Sequence, residues 1–193
     1  MDTKTITAQR LASSAWAVPP LARRDDFSLN AAANQQIIAH QEAGGITIIL
    51  YGGNAVFYHV ALSEYGDILQ QLAEAASDDT LIVPAVGPAY GTMMDQAVIL
   101  RDYDFPTAMI LPQQEVASPA GIALAVEQFA ERFGKPVVLY IKHDRAVEPE
   151  AVGRLMERGV LSAVKYAVRR DDARVDPYLE ELVEAAGPTR MLS

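Results

Sequence analysis

The sequence predicts an α/β fold with a parallel β-sheet, and two observations support this class. Short apolar runs rich in β-branched residues alternate with longer amphipathic stretches, and a new run begins after about 25 to 35 residues. No Asn-Gly or Asp-Gly turn separates one run from the next, so consecutive strands are not expected to pair as hairpins. Apolar strands joined by helices are typical of a parallel sheet that is covered on both faces. We expect a single domain over residues 1–193.

Six strand candidates follow one another along the chain. They are AWAVPPL (15–21), ITIILYG (46–52), LIVPAVG (81–87), TAMILP (107–112), PVVLYIK (136–142) and SAVKYAV (162–168). Helical periodicity and glycine or aspartate stop signals mark the intervening stretches LNAAANQQIIAHQEAGG (29–45), SEYGDILQQLAEAASDD (63–79) and SPAGIALAVEQFAERFG (118–134). After the sixth strand comes the helix candidate DPYLEELVEAAGP (176–188), in which Asp176 is the expected cap before Pro177. The final TRMLS resembles the start of a seventh strand.

Parallel βα units either close into an eight-stranded barrel or remain an open doubly wound sheet. No Gly-x-Gly-x-x-Gly or Walker-type loop follows any strand, and polar residues follow several strands, as at the mouth of a barrel. A complete barrel takes roughly 250 residues, whereas this chain has 193. We therefore expect a TIM (β/α)8 barrel of which the chain covers about six βα units and the start of a seventh strand. The alternatives are an open sheet, or a barrel whose remaining edge is covered by something else.

Composition limits the classes of function. The net charge is -9 with no basic block, which disfavours binding to nucleic acid or to an anionic membrane. The chain has no cysteine, so disulfides, zinc-thiolate sites and thiol nucleophiles are excluded. Its three histidines lack the spacing of a metal site. The start has no signal-peptide pattern and no run is long enough to span a bilayer, so we expect a cytoplasmic protein that acts on small molecules.

The sixth strand candidate carries Lys165 in an otherwise apolar run. A strand has a period of two, so Lys165 shares its face with Ala163 and Ala167, and the larger Val164 and Tyr166 lie on the other face. The larger side chains are expected to pack against helices, which points the lysine into the barrel. Burial lowers the pKa of a lysine and makes the amine nucleophilic, as imine formation with a ketone requires. The alternative is a lysine that reaches solvent at the strand end or pairs with a carboxylate.

The preceding strand candidate places Tyr140 beside Lys165, where a phenol could relay protons. Lys142 lies on the same face and either lowers the pKa of Lys165 or faces solvent, and we favour the solvent-facing position. In the loop that follows, Arg145 could bind a carboxylate through two parallel hydrogen bonds, and His143 could take part in proton transfer.

The segment YGGNA after the second strand candidate supplies Gly52, Gly53 and Asn54. Two glycines allow backbone amides to converge on an anion, and the Asn54 side chain could add a donor. The alternative is a plain tight turn.

Taken in order, these segments resemble the dihydrodipicolinate synthase and N-acetylneuraminate lyase family. Its members are class I aldolase-type (β/α)8 barrels that attach a 2-oxo acid, usually pyruvate, to a lysine as an imine. EAGGITIILYGGNAVF resembles the second strand and carboxylate-binding loop, VVLYIKHDR the Tyr-Asn-x-Pro-x-Arg segment, and AVKYA the segment around the Schiff-base lysine. The resemblance implies Lys165 as that lysine, Tyr140 as the catalytic tyrosine and Arg145 as the substrate-carboxylate arginine. It also implies a homo-oligomer, dimer or tetramer, and no cofactor.

The departures from the family pattern concern the substrate. The Gly-Thr-Thr-Gly-Glu loop reads GGNAV, with Gly53 and Asn54 in the threonine positions, and Gln113 and Gln114 replace a tyrosine that the synthase contributes across a subunit interface. We therefore expect a Schiff-base-forming lyase, aldolase or dehydratase that acts on a 2-oxo acid, pyruvate or a sugar-acid derivative, and not a true dihydrodipicolinate synthase. The alternative is a barrel without catalytic activity that binds a 2-oxo acid as a sensor or scaffold.

Overall fold

A sheet of seven parallel strands forms the centre of the computed structural model, which describes residues 1–113 and 115–192. Each strand pairs with its neighbours along the chain, in the order β1 to β7. The strands are β1 (Trp16–Ala17), β2 (Ile48–Tyr51), β3 (Leu81–Val86), β4 (Met109–Ile110), β5 (Val137–Ile141), β6 (Leu161–Tyr166) and β7 (Met191–Leu192). All six strand candidates and the TRMLS segment therefore contain strands, as predicted.

Helices connect the strands on the outside of the sheet. In the described ranges they are α1 (Ala8–Leu11), α2 (Ala31–Ala43), α3 (Leu62–Ala75), α4 (Tyr90–Leu100), α5 (Pro119–Phe133), α6 (Pro149–Glu157) and α7 (Pro177–Ala186). Side-chain caps define the N-terminal ends of α2, α5 and α7. The side chains of Asn30, Ser118 and Asp176 accept hydrogen bonds from backbone amides of the first turn. Among these ranges, no helix combines the length and apolarity that a membrane span requires.

The strand order decides between the two sheet architectures. A doubly wound sheet reverses its order at a switch point, whereas here the order runs from β1 to β7 without reversal. The strands and helices together form a curled partial barrel. The prediction of a partial (β/α)8 barrel is confirmed, and the doubly wound alternative is wrong.

Two strands have only two residues each and are much shorter than predicted. Strand β1 covers Trp16–Ala17 within the expected 15–21, because Pro19 and Pro20 have no amide hydrogen to donate to a ladder. Strand β4 covers Met109–Ile110 within the expected 107–112, and Pro112 ends it for the same reason. Backbone pairing continues one residue beyond β4, where the Leu111 amide donates to the Val86 carbonyl at 3.0 Å.

A polar cluster around Asp176 joins the end of β6 to the start of α7. Its Oδ1 accepts from the Leu179 amide at 3.1 Å and from Arg170 Nη2 at 2.7 Å, and its Oδ2 accepts from the Tyr166 hydroxyl at 2.8 Å. Asp176 is buried, and the Arg170 guanidinium holds the pKa of its carboxyl below the usual value. The cluster thereby positions the loop at the C-terminal end of β6.

Replacing Asp176 with alanine is expected to lower the free energy of unfolding by about 2 kcal/mol, because the helix loses its cap and Tyr166 loses its acceptor. Since the folded carboxyl has a lowered pKa, its stabilising effect is complete above the pKa of an unfolded aspartate, about 3.9. The effect declines as the pH falls through the lower folded pKa. Urea unfolding at pH 7 and at pH 3 measures this, with the exposed Asp171→Ala as the control. If Asp176→Ala lowers the free energy of unfolding by the same amount at pH 7 and at pH 3, the lowered pKa of Asp176 is contradicted.

Candidate active site

The register between β5 and β6 brings Lys165 and Tyr140 together. Their Cα atoms are direct partners in the ladder, and the Lys165 Nζ lies 4.0 Å from the centre of the Tyr140 ring. On its other side Lys165 is the ladder partner of Leu192 in β7. The predicted contact between the amine and the phenol ring is therefore present, and it lies in the middle of three paired strands.

The surroundings of Lys165 favour the neutral amine. The side chain is partly buried, and Ala163 before it on the same face is fully buried. Burial lowers the pKa of the Lys165 ammonium, and the positive charge of Lys142 lowers it further. Lys142 is itself exposed, as expected, yet it is close enough to disfavour a second charge at Lys165. A larger fraction of neutral amine is available at Lys165 than at an ordinary lysine.

Tyr140 is a partly buried phenol at the carboxyl end of β5. Burial raises its pKa above the ordinary value of 10.0. The hydroxyl therefore stays protonated at neutral pH and can serve as a proton donor. Its ring face contacts the Lys165 amine, so the phenol belongs to the same site as the lysine.

The loop after β2 has the backbone form of a short turn. Gly52 adopts φ -136 and ψ -125, and a short 3-10 helix begins at Gly53 and ends at Ala55. The first amides of such a turn have no acceptor within it, which leaves the Gly53 and Asn54 amides able to bind an anion. The Asn54 side chain is partly engaged, because its Nδ2 donates to the Val18 carbonyl at 3.1 Å.

Tyr58 is a residue of this site that the sequence reasoning missed. Its Cε2 lies 3.7 Å from the position that a Cβ on Gly53 would take. Burial raises the pKa of Tyr58, and the nearby Tyr140 phenol raises it further. Tyr58 therefore adds a second protonated phenol that lies beside Gly53 and near Tyr140. The one signal in the sequence is its position four residues after Asn54 in a loop that follows a strand.

Arg145 is engaged by a carboxylate of the chain itself. Its Nη1 and Nη2 donate to the two carboxylate oxygens of Glu181 on α7 at 2.5 and 2.6 Å, and its guanidinium lies 5.2 Å from the Tyr178 ring centre. Arg145 makes the two parallel hydrogen bonds that were expected with a substrate carboxylate, but the carboxylate that it binds is that of Glu181. The structure therefore does not bring Arg145 together with Lys165 and Tyr140.

Two cavities share Tyr140 as part of their walls. One, of about 650 Å³, opens beyond the ends of β5 and β6, and its lining includes Lys142, His143 and Arg169. The other, of about 430 Å³, is mostly apolar, lies between α4, α5 and β5, and is lined in part by Gln113. Gln114 lies outside the described residues. The polar cavity is the better candidate for substrate, because Tyr140, which contacts Lys165, lines it together with charged side chains.

Comparison with known proteins finds solved structures that share this fold. No model of a known family matches the sequence, and no curated protein matches it significantly. Dihydrodipicolinate synthase from Bacillus clausii matches with a TM-score of 0.80 at 19% identity, covering 95% of this chain and 61% of that structure. N-acetylneuraminate lyase from Mycoplasma synoviae matches with a TM-score of 0.72 at 14% identity, covering 89% and 59%.

A third similar structure is a prophage protein of the dihydrodipicolinic acid synthase family from E. coli K12, solved in complex with pyruvate. It matches with a TM-score of 0.72 at 14% identity, covering 90% of this chain and 59% of that structure. These structures come from the same family that the sequence motifs resemble. The chain therefore has the barrel fold of dihydrodipicolinate synthase and N-acetylneuraminate lyase structures, and it spans about three-fifths of their length.

Proposed function

We propose that the protein is a lyase of the dihydrodipicolinate synthase and N-acetylneuraminate lyase family that forms a Schiff base with a 2-oxo acid. The observation that carries the proposal is the pairing of Lys165 and Tyr140, in which a partly buried amine of lowered pKa contacts a protonated phenol. The reaction would break a carbon-carbon or carbon-oxygen bond next to the imine. Pyruvate and sugar-derived 2-oxo acids are the proposed substrate class.

In this reaction the neutral Lys165 amine attacks the keto carbon and a carbon-nitrogen bond forms. The keto oxygen takes up two protons, one from the attacking nitrogen and one from a general acid, and leaves as water. The nitrogen keeps one proton, so the product is a protonated imine. We assign to Tyr140 the donation of a proton to the leaving oxygen and the uptake of protons in later steps. The protonated imine then accepts the electron pair of the bond that breaks next to it.

The carboxylate of the 2-oxo acid is assigned to the loop after β2. The amides of Gly53 and Asn54 begin a turn and lack acceptors within it. A Cβ on Gly52 would lie 2.9 Å from Met109 Cε, so the chain is closely packed at this point. The Tyr58 ring lies beside Gly53, and we propose that its hydroxyl takes the place of a threonine hydroxyl of the family loop.

We also propose that the chain assembles with copies of itself, as the family resemblance implies. Large apolar side chains are exposed around the apolar cavity, where Tyr90 is 50%, Val116 75% and Leu124 54% exposed. Exposed apolar groups clustered in this way are typical of an interface.

Incubation with pyruvate and borohydride tests the imine. Borohydride delivers a hydride to the imine carbon and leaves a stable secondary amine, so the intact mass should rise by one reduced pyruvate adduct. Peptide mapping should place the adduct on Lys165. Reversible binding of pyruvate by calorimetry without any trapped adduct would instead favour a catalytically inactive barrel that binds a 2-oxo acid as a sensor or scaffold.

A further inference from the structure

The cavity beyond Tyr140 has an unusual charge for this chain. Its walls come from the ends of β5 and β6 and the loops that follow, and they carry three permanent cations, Lys142, Arg169 and Arg170, against one carboxylate, Asp144. The chain as a whole has a net charge of -9. A positive cavity in an acidic protein concentrates anions at that point.

The cations in this cavity differ in how far they are neutralised. Arg170 is engaged, because its Nη2 donates to Asp144 Oδ1 and to Asp176 Oδ1. Arg170, Asp144 and Asp176 together carry a net charge of -1, and with Lys142 and Arg169 the net charge around the cavity is +1. Among the residues that the structure describes, neither Lys142 nor Arg169 has a carboxylate within 4.0 Å. Both side chains are exposed at the cavity, so an incoming anion can reach them.

The position of these two cations relative to Lys165 matters. Lys142 lies one residue beyond the end of β5 and two residues after Tyr140, a distance of about 7 Å along an extended chain. Arg169 lies beyond the end of β6 on the continuation of the Lys165 strand. Tyr140 contacts the Lys165 amine and also lines the cavity to which Lys142 and Arg169 belong, so the far end of a substrate joined to Lys165 has these two cations within the adjoining cavity.

From this arrangement we infer that Lys142 and Arg169 bind a second carboxylate at the far end of the substrate, and that the preferred substrates are 2-oxo dicarboxylates. The inference rests on the proposed imine function for the placement of the keto end. It assigns the distal carboxylate to residues other than Arg145, whose fork is occupied by Glu181. A bound carboxylate would also relieve the repulsion between Lys142 and the protonated imine.

The test compares two 2-oxo acids that differ only in the distal group. 2-Oxoglutarate and 2-oxopentanoate have the same five-carbon chain, and only the first carries a distal carboxylate. The concentration that gives half-maximal borohydride-trapped adduct is measured for each by intact mass. We expect the wild type to require about tenfold less 2-oxoglutarate, the effect of one charge-assisted interaction. Added salt should narrow this preference.

Two variants assign the preference to the cavity. Arg169→Gln and Lys142→Gln should each reduce the ratio between the two acids to about threefold or less, since half or more of the interaction is lost. The ratio is used because a change in the reactivity of Lys165 affects both acids equally. Arg101→Gln, at the C-terminal end of α4, removes the same charge far along the chain from the cavity and should leave the ratio unchanged.

Failure of the inference is distinguishable from failure of the imine function. If pyruvate is trapped on Lys165 but the two acids show equal half-saturation, or the ratio is unchanged in both variants, the inference is overturned and the imine function stands. If no acid is trapped, the imine function fails. Calorimetric binding of glutarate, compared with that of pentanoate, then tests whether Lys142 and Arg169 form an anion site. Weaker binding of glutarate to Arg169→Gln than to the wild type would support the anion site. Equal binding to the wild type and to Arg169→Gln would overturn it.

Discussion

Replacing Lys165 with alanine is expected to lower turnover of a 2-oxo acid by more than about a thousandfold, because the substitution removes the nucleophile itself. Borohydride trapping with pyruvate should fall to background in the same variant. The fold should persist, since a partly buried ammonium that is repelled by Lys142 is removed and no hydrogen bond of the lysine is lost within the described residues. Intact mass, steady-state rate and thermal unfolding measure the three effects.

Lys4→Ala is the matched control for this substitution, because Lys4 is exposed near the N-terminus and far along the chain from β6. It should trap pyruvate as the wild type does. Lys165→Met adds a test of bulk, since it keeps the length of the side chain without the amine. Turnover that survives in Lys165→Ala or Lys165→Met would exclude the imine mechanism with Lys165.

Replacing Tyr140 with phenylalanine is expected to lower kcat by about 100-fold, the usual scale for loss of one positioned general acid or base. The ring that contacts the Lys165 amine remains, so packing at the site should change little. KM should change less than kcat, because the hydroxyl is assigned to proton transfer and not to substrate binding. Borohydride trapping should still modify Lys165 but more slowly.

Tyr103→Phe provides the comparison, because it also removes one phenol hydroxyl. That hydroxyl donates to the Gly66 carbonyl at 2.8 Å and belongs to the contact with α3. The Tyr103 variant should show a lower unfolding temperature with nearly normal kcat. A Tyr140→Phe enzyme with normal kcat and a lower unfolding temperature would instead assign Tyr140 a structural role.

The pairing of Lys165 with Tyr140 could be predicted because it depends on local rules. The period of two along a strand fixes which residues share a face, and adjacent parallel strands of a βα repeat lie side by side. The apolar pattern of each strand then determines the face that meets the helices. The same rules could not predict the Glu181 contact of Arg145, since the rotation of α7 is set by packing between Tyr166 and Tyr178, whose ring centres are 6.1 Å apart.

By itself, then, the sequence determined the parallel βα succession, the strand positions and the face on which Lys165 and Tyr140 lie, because hydrophobic periodicity and proline chemistry act between near neighbours in the chain. Only the tertiary structure decided the curvature of the sheet, the engagement of Arg145, the approach of Tyr58 to Tyr140 and the cationic cavity at Lys142 and Arg169. Each of these depends on contacts between segments far apart in sequence, and their geometry is set by how whole elements pack.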